Sequence, residues 1–131
     1  MKKIALEGPI NGCGDDACKN WRDEVVARLT DRYTFHNPMD FDCRGREKEL
    51  EAELVAFDTA GIAASDIVLV MASAPGWGTA MAVQMAWSMH KYIIVIYGGD
   101  RPISPWLNNR ASRVVRTLQD ALDILGAPCT P

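Results

Sequence analysis

Two apolar runs set the strongest limit on what this chain can fold into. Ile67-Val68-Leu69-Val70-Met71-Ala72 and Tyr92-Ile93-Ile94-Val95-Ile96-Tyr97 show no polar alternation. A strand with one wet face alternates, so an unbroken run is a strand covered on both sides, as in a parallel sheet flanked by crossover helices. Neither run approaches the roughly 18 apolar residues of a membrane span.

Elsewhere the hydrophobic period keeps switching, as expected of alternating strands and helices. Ile4-Ala5-Leu6 reads as a short strand broken at Gly8-Pro9, and Asp15-Asp16 open a helix with Trp21, Val25, Val26 and Leu29 as its apolar stripe. Tyr33-Thr34-Phe35 reads as a second strand, followed over 36–46 by a long polar loop. A helix is expected over 47–64, with Leu50, Leu54, Phe57 and Ile62 inward, and another from Thr79 to His90. The stretch with Gly98, Gly99, Pro102 and Pro105 reads as loop, Val114-Val115 as a last strand and 117–125 as a last helix. With 131 residues and no linker or repeat, the chain reads as one domain over 1–131. The predicted architecture is α/β: a single doubly wound, flavodoxin-like parallel sheet of about five strands with helices on both faces.

A net charge of −3 argues against a nucleic-acid polymer as partner, which would want a basic face. Cys13, Cys18, Cys43 and Cys129 lack C-x-x-C spacing, and His36 and His90 stand alone, so reduced thiols and no metal site are expected. Ile4-Ala5-Leu6 before Glu7 is too short for a signal-peptide core, and a cytoplasmic protein without membrane attachment is expected.

In such a sheet ligands sit beyond the carboxyl ends of the strands, here the loops at 8–14, 73–79 and 98–111. In Ser73-Ala74-Pro75-Gly76-Trp77-Gly78-Thr79 two glycines allow close backbone approach, and the helix that follows has no acid in its first turn. Such a terminus can hold a phosphate or a hydroxyl-rich sugar, and it can equally be a glycine turn with Thr79 as cap. Gly8-Pro9-Ile10-Asn11-Gly12 follows the same logic, but Asp15 and Asp16 already occupy its helix N-terminus. Neither loop matches a Walker or dinucleotide-binding fingerprint, and no cofactor is expected.

Asp58 lies late in its helix with few polar neighbours, where burial could raise its pKa for general acid or base work; a solvated or structural carboxylate is the plain alternative. Asp40, Asp42, Arg44 and Arg46 share one loop, so the arginine forks suit an anionic ligand or a mutual ion-pair cluster. Trp77 and Trp106, both read as loop residues on the ligand side, can stack on a base or pack under their own loops. The helix of residues 79–90 is apolar nearly all round, which points to a homo-oligomer formed through it, with burial between neighbouring helices of its own chain as the alternative.

Taken in order, Leu6-Glu7-Gly8-Pro9-Ile10, Asn37-Pro38-Met39 with Asp42-x-Arg44-Gly45, Asp58 ahead of Ser65-Asp66, Gly78-Thr79-Ala80-Met81 and Ser104-Pro105-Trp106-Leu107 resemble the nucleoside 2-deoxyribosyltransferase family over nearly the whole chain. The resemblance implies cleavage of the N-glycosidic bond of a nucleoside or nucleotide through a glycosyl-enzyme intermediate, with transfer of the sugar to another base or to water. It implies that the carboxylate at Asp58 handles the proton on the base, while backbone from the first loop and from 73–78 holds the sugar and 5′ groups. The family's glutamate nucleophile falls at Ala82, so the chain is expected to be an inactivated form. That form is either a deliberate replacement or a natural nucleotide-binding pseudoenzyme; the intact surroundings favour the former. Asn109-Arg110 stands where the family often carries a tyrosine–histidine pair, and with Arg44 it tilts the expected substrate toward a monophosphate.

Overall fold

The computed structural model describes residues 1–126, so the expectation for Cys129 lies outside the described residues. The elements run β1 (Lys2–Glu7), α1 (Asp15–Leu29), β2 (Tyr33–His36), a 3-10 turn (Pro38–Phe41), α2 (Glu51–Ala63), β3 (Ile67–Met71), α3 (Trp77–Ser88), β4 (Tyr92–Ile96), α4 (Pro105–Arg110), β5 (Arg113–Val115) and α5 (Leu118–Ile124). The strands form one sheet in the order β2-β1-β3-β4-β5, every pair parallel. This is the doubly wound α/β architecture expected from the two apolar runs, which become β3 and β4 at its centre.

Strand alternation divides the core in two. Ile4, Leu6, Leu69 and Ile94 point toward one face, where Trp21, Val25 and Leu29 of α1 and Leu122 of α5 cover them. Ala5, Val68, Val70 and Val95 point the other way, against Ile62 of α2 and Ala82, Val83 and Ala86 of α3. At roughly 25 cal/mol per Å² of apolar surface removed from water, these layers supply most of the drive to fold. Arg22 is fully buried and donates from its guanidinium to the carbonyls of Leu6, Cys18 and Gly8. It thereby satisfies the backbone where β1 ends and the ligand side of the sheet begins.

Three local readings are corrected. Helix α3 begins at Trp77, because Gly76 rather than Thr79 is its N-cap; Trp77 is therefore a helix residue. Residues 105–110, read as loop, form α4, with the Ser104 hydroxyl accepting from the Trp106 N–H and Pro105 in the first turn. Helix α2 starts at Glu51 and fully buries only Ile62; Leu50 and Leu54 are half-buried, and Phe57 lies at the surface.

Candidate active site

The topology reverses between β1 and β3: β2 is laid on one side of β1, and every later strand on the other. A crevice beyond the strand ends is expected at such a switch point. Glu7 is the last residue of β1 and lies two residues after Ala5, so it points toward the layer under α2 and α3. His36 ends β2, in register with Ala5. From α2, Asp58 completes the group: its Oδ1 lies 2.7 Å from His36 Nε2, which is 4.0 Å from Glu7 Oε1.

Glu7 and His36 are buried, whereas the Asp58 side chain keeps 28% of its exposure and forms the open end of the cluster. The imidazole is clamped by the Phe57 ring, 5.2 Å away, and by the bare backbone of Gly61. A Cβ on Gly61 would come within 2.1 Å of His36 Nδ1. Gly61→Ala is therefore expected to push the ring off Asp58 and to cost about 1–3 kcal/mol in urea unfolding; an unchanged unfolding midpoint would contradict this packing.

The charges in the cluster are set apart. Burial, then contact with Asp58, pushes the Glu7 carboxyl well above the usual range despite the nearby Arg22 charge. Burial alone would raise Asp58 too, but the His36 hydrogen bond, the nearby Glu7 carboxyl and the charge of Arg22 bring it below its ordinary value. The raised carboxyl is thus Glu7, and the expectation of a raised Asp58 is corrected. The sequence reading missed Glu7 and His36 as site residues. The available signal was parity: Glu7 ends an apolar strand on the same face as Ala5, where a carboxylate has no solvent.

A groove of about 560 Å³ opens beyond β3, between α3 and α4. Of the residues singled out from sequence, Gly76, Trp77, Thr79, Trp106 and Arg110 line it, while Asn109 lines a smaller recess beside Arg110. Trp77 is 90% and Trp106 73% exposed, so neither is packed under its loop. Ser73 and Gly78 are exposed but outside the lining, and Asp58 is not part of the groove wall. Gly76 offers no side-chain acceptor, which leaves the first-turn N–H groups of α3 without a side-chain cap. Gly8 is pressed against Trp21 and Met71, Pro9 and Ile10 are half-buried, and Asn11 is exposed.

The two arginines differ. Arg44 is held by Asp42, by Asp15 at 2.7 Å and by the Cys13 carbonyl, and the Arg44 contact pulls Asp42 down to about 2. Each nitrogen of its guanidinium is bonded inside the chain. Arg110 lies over the Trp87 ring at 3.7 Å and donates to Gln84 and Asn109. Among the described residues no carboxylate pairs with it. Ala82 is buried against the sheet with Ala5 and Val70, in the layer toward which Glu7 points.

No protein-family model matches the chain, and no curated protein matches it in sequence. Solved structures do match in fold. A 2-deoxyribosyltransferase from Bacillus psychrosaccharolyticus aligns with a TM-score of 0.74 at 15% identity, over 98% of this chain and 99% of that one. A 2-deoxyribosyltransferase from Leishmania mexicana gives 0.72 at 17% identity, over 95% and 97%. A CMP N-glycosidase from Clostridium botulinum gives 0.64 at 14% identity, over 95% and 98%. At these identities the likeness is one of fold.

Proposed function

We propose that this fold acts on the N-glycosidic bond of a nucleoside or nucleoside 5′-monophosphate, passing the sugar to water or to a second base. The observation that carries the reading is the cluster at the carboxyl ends of β1 and β2, where Asp58 is a partly open carboxylate fixed by His36; the same molecule has a groove between α3 and α4 walled by two exposed tryptophans. In this reading Trp77 and Trp106 stack on the base, and the free N–H groups at the start of α3 face the 5′ group. Two similar folds carry transferase names and one an N-glycosidase name. The alanine at position 82, in place of the glutamate that the resemblance implies, leaves a second reading, a nucleotide-binding protein without turnover. Ala82→Glu separates the two: free base released from any member of a nucleoside and nucleotide panel supports the enzyme, and binding without release supports the second reading.

Of Arg44 and Arg110, the one without a carboxylate partner among the described residues is Arg110, and we assign it to a 5′-phosphate. Arg110→Ala is expected to weaken monophosphate binding about tenfold, as loss of one charge-assisted contact does, and to leave the nucleoside nearly untouched. Titration calorimetry checks this, and equal losses for both ligands would remove Arg110 from the phosphate.

The exposed surface of α3 and its C-cap carries Met81, 66% exposed, Trp87 and Met89, and Val55 is exposed on α2. We assign this surface to a second copy of the chain. Sedimentation should show an oligomer that Met81→Asp dissociates; a monomer at every concentration would contradict it. Among the described residues no helix is long and apolar enough to cross a membrane.

A further inference from the structure

We propose that Glu7 stores the proton that Asp58 delivers to the departing base, a role that neither the resemblance nor the similar folds assign to it. The proposal rests on the N-glycosidic reading above and deepens it. The geometry comes first. Single polar atoms of Glu7, His36 and Asp58 all lie within 4.8 Å of one another. Glu7 Oε1 is buried with no hydrogen-bond partner, 4.0 Å from His36 Nε2. Around it stand Asp58 from α2, His36 from β2 and the Arg22 guanidinium from α1, which is spent on backbone carbonyls.

Two carboxyl groups this close cannot both ionise cheaply, so the pair keeps one proton. The inner member holds it, away from solvent, and the outer member meets the ligand. The divergent shifts of Glu7 and Asp58 agree with that division.

In the reaction the C1′–N bond breaks and its electron pair stays on the base nitrogen. The single proton of the carboxyl pair passes from Glu7 to Asp58, and Asp58 delivers that same proton to the nitrogen, which leaves both carboxylates ionised. When water bonds to the anomeric carbon, the proton it loses returns to the pair. Glu7 is a positioning residue that acts through Asp58.

Two measurements test this. In the unaltered chain, ¹³C-carboxyl NMR should show Glu7 titrating above the ordinary glutamate range, and Asp58→Asn should move it down. In whichever background releases base, Glu7→Gln should slow natural substrates about 10²-fold. It should also draw the alkaline limb of the pH profile to lower pH, and it should slow an activated aryl glycoside less than tenfold. A Glu7 carboxyl that titrates as an ordinary glutamate overturns the proposal alone, as does equal slowing of both substrates with an unmoved limb. Absence of base release from the whole panel overturns the enzymatic reading beneath it.

Discussion

Ala82→Glu is expected to raise release of free base by on the order of 10⁴-fold, the scale of a missing covalent nucleophile. Position 82 lies in the second helical turn of α3, with Ala5 and Val70 around it and the groove one turn away at Thr79 and Ala80. A carboxylate there enters the layer toward which Glu7 points. If Glu7 keeps its proton, the new group can be the anion of the site. The same substitution enlarges a buried alanine, and a loss of about 1–3 kcal/mol in urea unfolding should accompany the gain. Chromatographic quantification of free base beside an unfolding curve reads both. A folded Ala82→Glu protein no faster than the parent would remove position 82 from the chemistry.

Asp58→Asn in that background is expected to lose about 10²–10⁴-fold in turnover on natural substrates, the usual weight of a placed proton donor. An amide can still accept from His36, so binding should largely survive. The loss should be least for a leaving group that needs no proton. Under the Glu7 proposal the reaction draws its proton from the pair rather than from Asp58 alone, in keeping with an Asp58 held below and a Glu7 held above its ordinary value. Equal slowing of natural and activated substrates would make Asp58 a sugar-positioning or structural residue instead.

The sheet was legible because β3 and β4 are apolar on both faces, a pattern that few folds other than a parallel sheet produce. Helix α4 was not, although Ser104 and Pro105 form a recognisable start, because the glycines and prolines before it carry the stronger loop signal. The groove residues Gly76, Trp77 and Thr79 were legible from one loop and its helix start. The His36–Asp58 contact was not, since it joins residues 22 apart across a strand end and a helix. Only tertiary placement of Gly61 lets the imidazole reach that carboxylate. The state of Arg44 was hidden for the same reason: one of its partners, Asp15, lies 29 residues away on α1. Charge composition could suggest an anion site or an ion-pair cluster, and only the fold shows that the fork is already engaged.

The most direct test of the central claim is mass spectrometry of nucleosides, deoxynucleosides and their 5′-monophosphates incubated with the Ala82→Glu protein, with and without added acceptor base. The account predicts free base from at least one member, accompanied by an exchanged nucleoside for a transferase or by free sugar or sugar phosphate for a hydrolase. Every member returned intact by a correctly folded protein would contradict it.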